Sequence, residues 1–284
     1  VIVVVLTTGG TAVAQEAAEE PARPSWSLPH YEDEKGNSLT PSITLQAAAF
    51  GQSQSWYGKS KENLGSRSTY WFEQAIGLNL EGTLGLGGFG TAYGKLGGVS
   101  MHTQMTDAGG SDYPNDSPDD TTWEFAYAGW RSGDLFKDSL GEDALDVSFG
   151  RQRYEVGTGF IMNDAGTDGG QRASWWLGPH KSFREAGIVK LETHGLLARA
   201  VYLQPNDNPD SNTKLAGGDL QYSFENAGQV GAAYYNIFDS DTVSRDGMNV
   251  VDMRAELTPL AGTPTLPGTT IKGEFVYQEN GSKQ

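Results

Sequence analysis

Hydrophobic and polar residues alternate along much of this chain. From 75 to 86 the even positions are mainly large and apolar and the odd positions small or polar, with Ile76, Leu78, Leu80, Leu84 and Leu86 on the apolar side. Successive side chains of a β-strand point to opposite faces, so this pattern predicts a strand between two different environments. The same alternation recurs at 123–128, 145–150, 219–225, 251–257 and 271–278.

The alternation predicts eleven strands, at 42–57, 68–86, 89–105, 122–131, 144–154, 184–193, 196–204, 215–225, 229–238, 248–258 and 269–278. The longest exceed the ~5–6 residues typical of soluble strands and the ~9–11 residues that cross a bilayer at a tilt. Short links follow most even-numbered strands and long polar loops follow the odd-numbered ones. This arrangement is typical of outer-membrane β-barrels. We therefore predict an all-β fold, an antiparallel transmembrane β-barrel, with loops 106–121 and 155–183 outside the cell.

The two ends of the chain suggest its domain organisation. An apolar run at 1–6 and the A-x-A sequence at 12–14 resemble the end of a secretory signal peptide, so we expect 1–14 to be its remnant. Residues 15–41 begin with an acidic, proline-containing stretch and are expected to be a periplasmic linker. Residues 42–284 are expected to form the barrel. The chain stops in a turn-like sequence at 280–284, so we expect the barrel to be incomplete at its C-terminus.

Composition fits a sheet with one apolar face and one small or polar face. Hydrophobic residues make up 37% of the chain and aromatic residues 11%, and there are 38 glycines. Aromatic residues cluster near predicted strand ends, as expected at membrane interfaces, at Trp56-Tyr57, Tyr70-Trp71-Phe72, Trp130 and Trp175-Trp176.

The absence of cysteine excludes disulfides, thiolate metal sites and a cysteine nucleophile. The net charge of −16 argues against nucleic-acid binding, which requires basic residues to neutralise phosphates.

Basic residues are concentrated in one stretch of this acidic chain. Residues 151–199 contain seven basic and five acidic residues, a net charge of +2, which leaves −18 elsewhere. We predict that this stretch handles an anion and that the long loop within it can fold into the lumen. The candidate pore-lining and anion-handling residues are Arg151, Arg153, Arg172, Arg184, Lys190, Arg199 and, from the polar face of a later strand, Arg254.

The position of the first two arginines raises a question of register. Strict alternation from Phe149 would point Arg151 and Arg153 into lipid, where an arginine costs roughly 2–4 kcal/mol near mid-membrane. We therefore expect a β-bulge here that brings at least one of them into the lumen. The alternative is that both lie at the rim.

Other motifs predict little chemistry. Gly85–Gly90 matches G-x-G-x-x-G, but a strand pattern follows where a dinucleotide site needs a helix. Aspartates at 107–120 and 206–210 could bind calcium, but neither segment matches an EF-hand and solvated loops explain both. His180 and His194 have no zinc-ligand spacing, and G-x-S-x-G is absent. We therefore expect no cofactor and no enzymatic activity.

Several segments resemble the alginate-export family of outer-membrane channels. The resemblance is closest over 145–205 and rests on Val147–Gln152, Trp175-Trp176, Ser182-Phe183, Gly187–Lys190 and Leu197–Pro205. It implies an eighteen-stranded monomeric barrel, of which this chain has about eleven strands, with an arginine-lined constriction for an anionic polysaccharide. By position the resemblance assigns Arg151, Arg153, Arg184 and Arg199 to that constriction. The chain departs from the family pattern after Phe183 and at Gly157–Phe160, so alginate as the substrate does not follow.

These observations predict a channel in the outer membrane of a Gram-negative bacterium that passes a polar, anionic solute or polysaccharide. Its expected partners are the lipid bilayer, lipopolysaccharide, the solute and periplasmic export components. The alternatives are a general or small-solute porin, a barrel enzyme such as an outer-membrane lipase, and an adhesive or structural barrel whose acidic loops bind partners. A pore needs an open charged lumen, an enzyme needs a Ser/His pair within hydrogen-bond reach, and an adhesin needs a plugged lumen.

Overall fold

A computed structural model describes residues 30–54, 59, 61–62, 67–105, 107, 118–163, 165, 173–207, 210–224, 228–257 and 270–280. These residues form twelve strands: β1 (Tyr31–Glu32), β2 (Ser38–Ser53), β3 (Ser68–Gly85), β4 (Thr91–Gln104), β5 (Asp119–Arg131), β6 (Leu145–Gln152), β7 (Phe183–Thr193), β8 (Leu196–Gln204), β9 (Lys214–Phe224), β10 (Gly228–Asp239), β11 (Met248–Leu257) and β12 (Ile271–Asn280). Among the described residues, no helix is both long and apolar enough to cross a membrane.

The strands form one antiparallel sheet in which each strand pairs with its neighbours in sequence, from β1 through to β12. The predicted all-β antiparallel fold is therefore confirmed, and each of the eleven predicted strands is present. Within the described residues β1 and β12 do not pair with each other, so the sheet is open there. Strand β1 was not predicted because two residues are too few to display an alternating pattern.

Some predictions concern residues that lie outside the described part of the chain. These are the signal-peptide remnant 1–14, the first part of the 15–41 linker, Trp56-Tyr57, most of the acidic loop 107–120, and Arg172.

The two faces of the sheet differ in polarity and exposure. On β3, Ile76, Leu78 and Leu80 lie on one face with 40–57% of their surface exposed. Glu73 and Ala75 lie on the opposite face and are buried. We call the exposed apolar face the outer face and the other the inner face. Later strands follow the predicted alternation, with exposed outer-face residues that include Leu220, Tyr222, Phe224, Met253, Leu257, Phe275 and Tyr277.

Strand β5 departs from the predicted alternation. Trp123, Phe125 and Tyr127 were expected to share one face, but the register between β4 and β5 shifts at Gly97 and Gly98. The shift leaves Glu124 as an extra residue in β5, and a bulge of this kind reverses the faces of the residues after it. Trp123 is 60% exposed on the outer face, whereas the side chains of Phe125 and Tyr127 contact each other on the inner face.

The irregularity expected beside Arg151 is present, but its extra residue lies in β7. The β6–β7 register shifts between Gly150 and Gln152, with one residue between them on β6 and two on β7. Alternation along β6 is therefore not reversed. Ser148 and Gln152 stay together on the inner face, joined by a hydrogen bond of 3.0 Å, and Arg151 pairs in register with Ala126 of β5.

The connection between β6 and β7 packs against the inner face. We call residues 153–182 the inward segment; its described parts are 153–163, 165 and 173–182. Tyr154 and Val156 are buried with Phe183 at the start of β7 and with inner-face residues of β8–β11, which include Leu203 and Tyr235. Ala173 is buried near residues of β3 and β4. The protein's core therefore lies between the inward segment and the inner face.

Candidate functional site

Two arginines from different strands converge on one aspartate of the inner face. Arg199 on β8 donates two hydrogen bonds to Asp219 on β9, from Nε to Oδ1 at 2.8 Å and from Nη2 to Oδ2 at 3.1 Å. Arg254 on β11 donates from Nη2 to the same Oδ2 at 2.9 Å. The Asp219 side chain has no exposed surface. Both guanidinium groups are therefore held by one fully buried carboxylate.

The strand register explains why these residues meet. Arg199 and Asp219 are direct partners in the β8–β9 ladder. Arg254 lies opposite Gly231 of β10, so its side chain must cross β10 to reach Asp219 on β9. A Cβ atom at Gly231 would lie 2.8 Å from Arg254 Nε. The absence of a side chain at this position therefore gives Arg254 its path.

Three carboxylates surround the two guanidinium groups. Asp252 Oδ1 accepts a hydrogen bond from Arg254 Nη1 at 2.6 Å, and the Asp252 side chain is fully buried. Glu274 lies opposite Arg254 in the β11–β12 ladder. We call Arg199, Asp219, Asp252, Arg254 and Glu274 the charge cluster. With all five groups ionised, three carboxylates against two guanidinium groups give the cluster a net charge of −1.

The inward segment is bound to the charge cluster. The Tyr154 hydroxyl donates to Asp219 Oδ1 at 2.8 Å and lies 3.0 Å from the Tyr235 hydroxyl. Arg199 Nη1 donates to the Glu155 carbonyl at 3.0 Å, and its guanidinium lies 4.8 Å from the centre of the Tyr154 ring. Burial raises the pKa of the Tyr154 hydroxyl, so it remains protonated and able to donate at neutral pH.

A second buried carboxylate binds both ends of the segment. Glu124, the bulge residue of β5, accepts from Arg153 Nε at 2.6 Å and lies 2.6 Å from His180 Nδ1. It also accepts from the Lys181 backbone N–H at 3.2 Å. His180 Nε2 lies 2.7 Å from Asn206 Nδ2. His180 therefore contacts a carboxylate and an amide.

A third contact holds residues 173–177 against β3 and β4. Glu73, fully buried on β3, accepts from the backbone N–H groups of Leu177 at 2.9 Å and Trp176 at 3.3 Å. The Ser174 backbone N–H donates to Thr103 Oγ1 on β4 at 2.7 Å. The inward segment is thus bound to strands on both sides of β6, at Asp219, Glu124 and Glu73.

The structure brings together only some of the residues predicted to line a pore. Arg199 and Arg254 meet in the charge cluster, and Lys190 is the register partner of Arg199 on β7. Arg153 is bound instead by Glu124, and Arg184 forms an ion pair of 2.6 Å with Asp210. Arg151 pairs in register with Ala126, and Arg172 lies outside the described residues.

Sequence reasoning missed the carboxylates that organise the site. Glu124, Asp219 and Asp252 stand out in the sequence only as polar positions of the alternating segments 123–128, 219–225 and 251–257, and Glu73 was not singled out. A signal was present in the sequence, since each of these acids lies inside a predicted strand. An acid buried in a strand needs a hydrogen-bonding partner, and this requirement points to partners on facing elements.

No protein-family model matches the chain, and no curated protein sequence does.

Proposed function

We propose that this chain forms part of an outer-membrane β-barrel channel that passes a polar solute, in the manner of the alginate-export channels that its sequence resembles. The observation that carries the proposal is the division of the sheet into two faces. Large apolar side chains are exposed along the outer face, while buried charges occupy the inner face.

The exposed apolar residues favour a membrane environment. Soluble monomers rarely expose contiguous apolar patches of more than a few hundred Å². Here exposed apolar residues occur on most strands, from Leu39 on β2 to Tyr277 on β12. In an antiparallel meander the backbone N–H and C=O groups pair between neighbouring strands. The bilayer interior requires such pairing of every backbone group, and a barrel closed from such strands provides it.

The buried charges favour a polar lumen on the inner face. A buried ion pair contributes little net stability compared with apolar packing of the same volume. Stability alone therefore does not account for the charge cluster. We propose that the cluster acts on the water or solute in the lumen beside it. The inward segment lies against the middle of strands β9, β11 and β12, so we propose that it narrows the lumen at the cluster.

The charge of the solute does not follow from the arginines. An anion is favoured in a pore by positive charge that is free of counter-charge. Arg199 and Arg254 share Asp219, while Arg153 is paired with Glu124 and Arg184 with Asp210. The anionic solute or polysaccharide expected from the sequence is therefore a separate proposal, which rests on the basic stretch 151–199 as a whole.

Single-channel recording of the full-length protein in planar bilayers tests this function. We expect discrete conductance steps from folded protein and none from heat-denatured protein added in the same detergent. Folded protein that inserts into vesicles without conducting would contradict a channel and support the adhesive or structural barrel.

A further inference from the structure

A polar cavity lies beside the charge cluster, between the inward segment and strands β9–β12. Its volume is about 280 Å³, close to the lower end of the ~300–1,000 Å³ of small-molecule sites. Gly157 and Thr158 of the inward segment form one wall. The Thr158 hydroxyl donates to Glu274 Oε2 at 2.5 Å, which binds this wall to β12.

A row of polar side chains crosses four strands along the opposite wall. Gln221 Nε2 on β9 donates to Gln229 Oε1 on β10 at 2.8 Å, and Gln229 Nε2 donates to Glu256 Oε2 on β11 at 3.3 Å. Lys272 Nζ on β12 lies 3.1 Å from the same Glu256 oxygen. Each glutamine amide has two N–H donors and a carbonyl with two lone pairs, so this row leaves donors and acceptors for a ligand.

Arg254 supplies a buried donor at the cavity. Its side chain is 8% exposed, and its Nε has no hydrogen-bond partner among the described residues. Two glycines flank it: a Cβ would lie 2.7 Å from its Cδ at Gly157 and 2.8 Å from its Nε at Gly231. A buried N–H without a partner is costly, so an acceptor from a ligand would gain more here than at the surface.

The charges around the cavity select against ions of either sign. Lys272 and Arg254 line it and oppose a cation. Glu256 lines it as well, and Asp252 and Glu274 lie beside Arg254, so an anion is opposed too. A neutral ligand with several hydroxyl groups meets no such penalty, because each hydroxyl can donate to a carboxylate or amide oxygen and accept from an N–H.

We propose that this cavity is a binding site for a neutral, hydroxyl-rich ligand of about the size of one sugar ring. This proposal rests on the proposed channel function, because in a channel the bound ligand would be the transported solute or part of it. The site itself is defined by Arg254 and the Gln221–Gln229–Glu256 row.

Three sugars of equal ring size and different charge test the site: D-glucose, D-glucuronate and D-glucosamine. Thermal unfolding of the full-length protein in detergent is followed at constant ionic strength as each sugar is titrated, and block of the ion current is measured in bilayers. We expect glucose to raise the unfolding temperature saturably and to reduce the current, with weaker effects from both charged sugars. A ligand that binds only the folded state raises the unfolding temperature in this way.

Matched variants separate the site from general solute effects. Gln229→Leu removes the central amide of the row and is expected to weaken glucose binding roughly three- to ten-fold. Gln278→Leu makes the same change on the inner face of β12, opposite Val250 and away from the cavity, and is expected to leave binding unchanged. A sugar that is excluded from the protein surface stabilises the folded state in general. This effect is the same in the unsubstituted protein, in Gln229→Leu and in Gln278→Leu. Gln221→Leu replaces Gln229→Leu if the latter does not fold.

The outcomes distinguish the site from the channel. A protein that conducts but shows neither saturable stabilisation nor block by glucose overturns the site and leaves the channel intact. Saturable stabilisation without conductance supports the site and overturns the channel. Equal or tighter binding of glucuronate, or unchanged binding by Gln229→Leu, overturns the proposal of a neutral ligand at this cavity.

Discussion

Arg254 on β11 and Asp219 on β9 are joined across the intervening strand β10, with 2.9 Å between Arg254 Nη2 and Asp219 Oδ2. Asp219 also holds Arg199 and accepts a hydrogen bond from Tyr154 of the inward segment. One buried carboxylate thus connects three strands and the segment that packs on them. Its removal should affect both the charge and the stability of the inner face.

Asp219→Asn should shift ion selectivity towards anions. The change leaves the guanidinium groups of Arg199 and Arg254 without their shared counter-charge. At ~0.15 M salt the screening length is about 8 Å, so the loss of one negative charge acts only where the lumen is narrow. The reversal potential in a salt gradient measures the shift. Asp239→Asn, which removes an exposed partner of Lys214 at a strand end, is the control. Equal reversal potentials in both variants would place the cluster away from the ion path.

Tyr154→Phe should destabilise the protein by about 1.5–3 kcal/mol, the range for a hydrogen bond to a charged group. It removes the hydroxyl that donates to Asp219 and leaves the buried ring in place. Tyr277→Phe is the matched control, because Tyr277 is 51% exposed on the outer face and its hydroxyl makes only a 3.4 Å contact with Glu279. Denaturant unfolding of the two variants gives the comparison. Similar losses in both would mean that Tyr154 does not anchor the inward segment.

The order of the strands was predictable from the sequence because a period of two is a strong signal over long stretches. Strand β3, with its run of alternate leucines, is an example. The bulge in β5 was not predictable, because Trp123-Glu-Phe-Ala-Tyr127 reads as perfect alternation. Only its pairing with Gly97 and Gly98 on β4 reveals the extra residue, and that pairing is a property of the sheet.

The candidate site could be predicted only in part, for a related reason. The basic residues were conspicuous because they are rare in an acidic chain. Their partners depend on the strand register. Arg199 and Asp219 are twenty residues apart, and no sequence pattern indicates that they lie opposite each other. The crossing of Arg254 over β10 depends on Gly231, whose role becomes visible only when a Cβ is placed there.

Arginine substitutions on β3 should distinguish the two faces. Leu78→Arg and Leu80→Arg place a charge on the outer face and should each cost roughly 2–4 kcal/mol if they lie near mid-membrane. Asn79→Arg places the same charge on the inner face, opposite Gly97 of β4, and should be tolerated. Heat-modifiable gel mobility after refolding reports the folded fraction. Equal tolerance at all three positions would contradict a lipid-facing outer face.

Cysteine labelling tests orientation and location together, since the chain has no native cysteine. Val243→Cys lies in the β10–β11 connection and Lys137→Cys in the β5–β6 connection, at opposite ends of the strands, and both side chains are exposed. The β10–β11 connection lies at the same end of the sheet as the long β4–β5 and β6–β7 connections, and long loops lie outside the cell in barrels whose short turns are periplasmic. We therefore expect a membrane-impermeant maleimide to label position 243 in intact cells, and to label position 137 only after the outer membrane is opened. Labelling of 137 but not 243 in intact cells would reverse the orientation. Labelling of both positions would contradict a membrane-spanning sheet, because strands that cross a bilayer cannot present both of their ends on the same side.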